Sequence, residues 1–335
     1  MLLLTLLASA AAEEACAEPQ TEPRIVIGCW QLLERHADEA RAVDTLQAYF
    51  DAGFTAYDTA DIYGRSESLI GKLRERGRAP VVYTKYVTQD ASIANARAIN
   101  AASRRALGAA PEMVQFHWWD FGDARFVQAA AHLATLQTEG ALAQVAACNF
   151  DTAHLRELVD AGVPIRANQV QYSLLDRRPE NGMLDYAREK GIRLACFGTI
   201  GGGWLSDRWL GAPRPHGRRA QRTVSMRMYH QPLERWSGGD WELFQDLLRA
   251  ARKIADKHAS TIANVAAAWV LRQLDTRGAG GWVIVGVRDT EHLDEHKALR
   301  ALALDDDDDA ALAAVLARGR SPAEDGDIWS FERGR

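Results

Sequence analysis

The chain has 335 residues, 47% of them hydrophobic, with 40 Lys and Arg against 45 Asp and Glu and a formal net charge of −5 at pH 7. That length supports one large α/β barrel or two ordinary domains, and the slight acidic excess excludes nucleic acid as the obvious partner. Four irregularly spaced cysteines (Cys16, Cys29, Cys148, Cys196) make neither a disulfide framework nor a CxxC pair, and ten tryptophans are the one compositional oddity.

Residues 1–23 read as an N-terminal extension. Leu2 to Ala12 is apolar, and Ala8-Ser9-Ala10 and Ala15-Cys16-Ala17 resemble signal-peptidase sites. A secretory signal would carry a basic n-region, yet no Lys or Arg precedes Arg24. The run is also too short to span a bilayer. The expectation is a cytoplasmic protein without a membrane span, with a targeting segment as the second reading.

From Arg24 onward, short apolar or β-branched runs alternate with amphipathic stretches. Strands are expected at Ile25–Gly28, Phe54–Asp58, Val81–Tyr86, Met113–His117, Ala143–Asn149, Ile165–Gln169, Arg193–Phe197 and Trp282–Gly286. Helices are expected at Glu39–Asp51, Ser66–Arg76, Ala94–Leu107, Arg125–Glu139, Thr152–Ala161, Gly182–Lys190, Glu242–Lys257, Ile262–Arg272 and Glu291–Leu299. Asp151 and Asp289 stand where a helix N-cap belongs, and Gly53, Gly140, Gly162 and Gly191 sit just past helices. Eight strand–helix units predict a parallel sheet closed into a (β/α)8 TIM barrel, with residues 24–335 as a single domain. No G-x-G-x-x-G follows the first strand, so a Rossmann site is not expected. A long insertion after strand 7, Gly201–Asp240, and a C-terminal tail after Leu304 exceed ordinary loop lengths.

Barrel chemistry sits at the C-terminal ends of strands. Those ends carry Asp58, Lys85, His117, Asn149, Gln169 and Phe197, and Tyr63 follows Asp58 in the next loop. An ionisable group there is costly unless paired or functional. An ammonium beside a tyrosine favours the phenolate and lowers its pKa. Asp58 would hold Lys85, and His117 would donate to a carbonyl oxygen. The group describes a proton donor for carbonyl reduction, with hydride supplied from elsewhere.

Tyr57-Asp58-Thr59-Ala60-Asp61-Ile62-Tyr63-Gly64, Tyr83-Thr84-Lys85 and Val114-Gln115-Phe116-His117 resemble the aldo-keto reductase superfamily. The resemblance continues through Ala147–Phe150, Asn168–Ser173 and Ile284–Arg288, so it covers roughly residues 25–300. Phe116–Asp120 and Gly280-Gly281-Trp282 resemble a plant and microbial subgroup of poorly defined substrate. The resemblance implies an NAD(P)-dependent oxidoreductase acting on an aldehyde, ketone or sugar-like carbonyl, or on the alcohol in reverse. It makes Tyr63 the general acid, Lys85 its partner, Asp58 the anchor and His117 the substrate-orienting donor. Asn149 and Gln169 match residues that bind the nicotinamide carboxamide; Cys148 stands where a serine is usual, and Phe197 where a tyrosine stacks on the ring. Gly202 and Gly203 in the loop after strand 7, and Gly286 and Arg288 after strand 8, match the phosphate end. His292 and His296 replace an arginine and an asparagine near the adenosine 2′-phosphate. NADP(H) is the first expectation and NAD(H) the second. The resemblance to potassium-channel beta subunits supplies another reading, a cofactor-binding regulatory protein with little turnover.

Trp30, Trp118, Trp119 and Trp204 follow strand ends and are expected to line a pocket for an apolar substrate. His292–His296 formally matches H-x-x-E-H, but with no third-ligand motif it reads as a helix at the cofactor pocket and no metal is expected. Asp305–Asp309 reads as a solvated helix start rather than a Ca²⁺ site, and Arg214–Arg222 as a solvated loop.

Overall fold

The computed structural model describes residues 22–35, 38–215 and 223–327. The signal-like segment and most of the Arg214–Arg222 cluster therefore lie outside the described residues. Eight parallel strands close in sequence order into a barrel. They are β1 (Ile25–Gly28), β2 (Ala56–Asp58), β3 (Val81–Thr88), β4 (Met113–Trp118), β5 (Gln144–Cys148), β6 (Ile165–Gln171), β7 (Arg193–Phe197) and β8 (Gly281–Gly286). Around them run α1 (Leu32–Arg35), α2 (Glu39–Asp51), α3 (Ser66–Glu75), α4 (Ile93–Leu107), α5 (Phe126–Thr138), α6 (Thr152–Asp160) and α7 (Met183–Lys190). The chain continues with α8 (Val224–Ser237), α9 (Trp241–Lys257), α10 (Ile262–Thr276), α11 (Leu293–Ala301) and α12 (Asp306–Leu316). The expected TIM barrel is the observed fold.

Strand periodicity positions the site. Side chains alternate between the barrel interior and the helix layer. One residue from each strand forms the interior floor: Val26, Ala56, Tyr83, Met113, Ala146, Ala167, Ala195 and Trp282. Tyr83 and Trp282 fill most of it, their rings 5.3 Å apart. Two residues further along each strand the interior changes character. Gly28, Asp58, Lys85, Gln115, Cys148, Gln169, Phe197 and Ile284 occupy that level, so the polar strand ends share one ring. Intervening residues such as Tyr57, Val114, Phe116, Val170 and Leu194 pack outward into the main core.

Local capping follows the sequence at α6, where Asp151 accepts the His154 N–H at 2.8 Å. It departs from it at α11. Asp289 caps no helix there; its carboxylate accepts the Glu291 N–H at 3.0 Å and closes a short turn, leaving His292 at the N-cap. The acidic run opens α12 as expected, with Asp305 and Asp308 forming a reciprocal capping box. Asp308 is nevertheless buried, its carboxylate held by Lys257 and His258. The expected tail is thus built into the fold: Leu312 and Leu316 are buried, and Asp309 accepts from Trp269 and Gln273.

The insertion after β7 builds an aromatic core of its own. Trp204 stacks on Trp209 at 4.6 Å, meets Trp241 edge-on at 6.3 Å, and donates its indole N–H to the Met226 carbonyl. This cluster fixes α8 over the mouth of the barrel.

Candidate active site

Asp58 ends β2, Lys85 lies on β3 and Gln115 on β4, all pointing inward by the period of two. Lys85 Nζ donates to Asp58 Oδ1 at 2.6 Å and to the Thr59 carbonyl at 2.9 Å. Both side chains are nine-tenths buried or more. Oδ2 of Asp58 accepts from Gln115 Nε2 at 2.7 Å and from Gln169 Nε2 at 2.6 Å. Gln169 Nε2 also donates to Gln115 Oε1 at 2.7 Å. A buried carboxylate is tolerated because three donors from three other strands surround it.

Tyr63 lies above this group, its ring centroid 4.9 Å from the Lys85 ammonium. Burial pushes the Tyr63 hydroxyl up to about 12; Lys85 pulls it down and Asp58 pushes it further up. The lowered tyrosine pKa expected from the sequence is therefore not found. Desolvation outweighs the ammonium, which Asp58 opposes. Burial alone would lower Lys85, but Asp58 and then Tyr63 hold it above the ordinary lysine range. The pair remains ionic.

His117 Nδ1 is 3.1 Å from the Cys148 carbonyl. A carbonyl only accepts, so Nδ1 carries the proton, and Nε2 donates only in the imidazolium form. The Trp119 ring meets His117 edge-on at 4.5 Å. Trp119 and Trp30 are 44% and 41% exposed and line the mouth, together with Ile62 and Met228. Trp118 and Trp204 do not line it. Trp118 is one residue past His117 and so faces the helix layer, buried against Phe116, while Trp204 belongs to the core of the insertion.

A cavity of about 1130 Å³ runs from Tyr63, Lys85 and His117 past Asn149, Gln169 and Phe197 to Arg288, His292 and His296. Cys148, Gly202, Gly203 and Gly286 line it as well. Its residues fit a nicotinamide dinucleotide. Asn149 stands in the left-handed region at φ 57°, and its Oδ1 is buried with no protein partner, an acceptor suited to a carboxamide N–H. Gln169 fits differently from expectation: Asp58 and Gln115 occupy its amide nitrogen, and its Oε1 accepts from the Cys148 thiol at 3.8 Å, so only the second lone pair of Oε1 is open to a ligand.

The glycine loop after β7 has a use the sequence did not show. A Cβ at Gly198 or Gly202 would meet the Tyr229 ring of α8 at 2.5 Å, and at Gly202 also the Ser225 backbone at 2.8 Å. The glycines admit both α8 and the cavity. Gln115, bonded to Asp58, and Tyr229, in the cavity wall, are neighbours of the site that sequence reading did not single out. Gln115 was detectable as a polar residue two positions before His117 in an apolar strand; Tyr229, in a distant insertion, was not.

At the last wall, His296 Nδ1 lies 3.0 Å from the Tyr49 hydroxyl, and burial, then His292, pushes it down to about 4. His292 Nδ1 is 3.3 Å from Glu295. Among the described residues no cluster of three or more His, Cys, Asp or Glu could hold a metal ion. No helix among them is long and apolar enough to cross a membrane.

A profile described as "Aldo/keto reductase family" matches residues 24–317. The chain belongs to this family. Aldo-keto reductase str7 of Strobilurus tenacellus is 25% identical over 309 residues, covering 89% of this chain and 86% of that protein. An NADH-specific methylglyoxal reductase of Escherichia coli is 25% identical over 285 residues, covering 76% and 84%. Among solved structures, a glycerol dehydrogenase from Gluconobacter oxydans shares the fold with a TM-score of 0.76 at 22% identity, covering 90% of this chain and 94% of that one. As an aldo-keto reductase, the protein is an oxidoreductase acting on carbonyl groups, and its family binds nicotinamide cofactors.

Proposed function

We propose that this aldo-keto reductase reduces an aldehyde or ketone to the alcohol with Tyr63 as proton donor. The observation that carries the reading is the buried Asp58–Lys85 pair beneath the Tyr63 ring. When bound, a dihydronicotinamide supplies the hydride. Asn149 and the Oε1 of Gln169 would hold its carboxamide, and Phe197 would offer a ring face. A tyrosine pushed up to about 12 stays protonated throughout neutral pH, as a general acid must. Lys85 stabilises the phenolate left when Tyr63 gives its proton to the carbonyl oxygen. Asp58 keeps Lys85 charged, and Gln115 and Gln169 keep Asp58 in place. His117 would face the same oxygen and orient the carbonyl. Trp30 and Trp119 give the mouth two large apolar faces, which favours an apolar or aromatic carbonyl compound.

The test is turnover of an aldehyde panel by the wild type and Tyr63→Phe. The variant is expected to bind dinucleotide unchanged and to lose ~10²–10⁴ in kcat, the range for removing a general acid. Equal rates would refute the role of Tyr63. A wild type that binds dinucleotide and turns over nothing would favour the regulatory reading.

A further inference from the structure

β2 is the shortest strand of the barrel, with three residues, and β3 the longest, with eight. Their last pair is Asp58 with Tyr83, so β3 runs on to Thr88 with no strand along its β2 edge. Residues 59–65, the loop that carries Tyr63, lie against that edge. Before the loop, the Val81 N–H donates to the Thr55 carbonyl at 2.9 Å; at its start, the Thr59 N–H donates to the Tyr83 carbonyl at 2.9 Å. Backbone donors toward one neighbouring strand recur every second residue, so Val87, like Val81, presents its N–H to the β2 side. By that point the backbone of β2 has ended, and a side chain takes the rung: Asp61 Oδ2 accepts the Val87 N–H at 3.1 Å. The backbone is thereby free to turn. The Tyr63 N–H closes the turn on the Ala60 carbonyl at 3.1 Å, and the Ser66 N–H on the Tyr63 carbonyl at 3.2 Å.

We propose that Asp61 is the positioning residue for Tyr63, anchoring its loop to β3 so that the phenol stands over Lys85. The proposal rests on the reading of Tyr63 as proton donor. Asp61 and Tyr63 are two residues apart on the loop, and their partners Val87 and Lys85 two apart on the strand. Ile62, Tyr63 and Val87 line the cavity and Asp61 does not, so its effect on the chemistry passes through the loop. A hydrogen bond to an ionised carboxylate is roughly twice as strong as one between neutral groups. Burial pushes the Asp61 carboxyl up to about 6; the Val87 N–H pulls it down, Glu67 adds to the rise, and the Ile62 N–H and Lys85 oppose it. The anchor is therefore ionised in most molecules at pH 7. Its other oxygen, Oδ1, is buried with no partner, a cost the fold carries to keep this acceptor in place.

The experiment compares wild type, Asp61→Ala, Asp61→Asn, Asp61→Glu and Tyr63→Phe on the panel aldehyde that wild type reduces fastest. NADH and NADPH affinities are read by calorimetry, and amide exchange is read at Val87. Asp61→Ala should lose roughly ten- to hundredfold in kcat, as a small misplacement of a reacting group does. Its KM and dinucleotide affinity should stay within about twofold of wild type, while its Val87 amide exchanges faster. Asp61→Asn keeps an acceptor for Val87 and should retain most of the activity and the protection. Asp61→Glu keeps the charge but displaces it by one methylene; it should lose kcat as Asp61→Ala does, and it carries the test if Asp61→Ala does not fold. Four results would overturn the role of Asp61: Asp61→Ala and Asp61→Glu as active as wild type, Asp61→Asn as impaired as Asp61→Ala, a loss confined to KM or dinucleotide binding, or failure of both Asp61→Ala and Asp61→Glu to fold. Tyr63→Phe as active as wild type would instead overturn the reading of Tyr63.

Discussion

Replacing Lys85 by methionine separates what the buried pair does for stability from what it does for chemistry. Asp58 and Lys85 are 7% and 5% exposed in their side chains, so the variant leaves a carboxylate in the barrel without its cation. Removing one partner of such a pair costs about 3–5 kcal/mol. Gln115 and Gln169 still donate to Oδ2 in the variant, which places the loss near the low end, ~3 kcal/mol. For a domain of this size that lowers Tm by roughly 4 °C. Adding Asp58→Asn removes the stranded charge, so the double variant should recover most of the stability while remaining inactive. Thermal and urea unfolding of the four proteins, with aldehyde turnover in parallel, makes the cycle complete. Two outcomes would refute the reasoning: Lys85→Met as stable as the wild type, or a double variant less stable than the single by the full cost of each change.

Other outcomes follow from the same geometry. Tyr63 and Tyr83 both sit at about 12 when folded, above the ordinary value near 10. The folded state therefore keeps protons that the unfolded chain releases; their stabilisation is whole below pH ~10 and lost as pH rises toward 12. Urea midpoints measured across that window should fall, and less steeply in Tyr83→Phe. His296 has the opposite sign. Its folded value of about 4 lies below the usual 6.5, so its contribution is whole above 6.5 and lost as pH falls toward 4. His296→Gln should flatten that acid limb. Trp204→Ala should cost roughly 3–5 kcal/mol of stability, as a core tryptophan does, while KM for small aldehydes changes far less than in Trp119→Ala. Cys148→Ser should tighten dinucleotide binding by a few-fold, about the worth of one better hydrogen bond, read by calorimetry.

Most of the fold was legible because barrel units are local: an apolar run, a polar end, an amphipathic helix and a glycine. The polar residues that the barrel brings together at the candidate site were legible for a related reason. Asp58 and Lys85 stand two positions after the apolar floor residues Ala56 and Tyr83, and His117 stands four after Met113, polar residues on otherwise apolar strands. The errors have physical causes. Trp118 was read as part of the mouth because it follows a strand end, but β4 runs one residue further and the alternation turns it outward. Trp204 was misplaced because the insertion folds around it. The pKa of Tyr63 was expected to fall because sequence shows the neighbouring cation and not the depth of burial. The network on Asp58 Oδ2 joins β2, β4 and β6, a convergence that only barrel closure produces.

The most direct measurement is a single turnover with dinucleotide deuterated at the transferring position of its dihydronicotinamide ring, on wild type and Tyr63→Phe saturated with cofactor. The account predicts deuterium on the carbinol carbon of the product alcohol, formed at least ~100-fold more slowly by the variant at equal occupancy. Product without the label, or equal rates from both proteins, would contradict it.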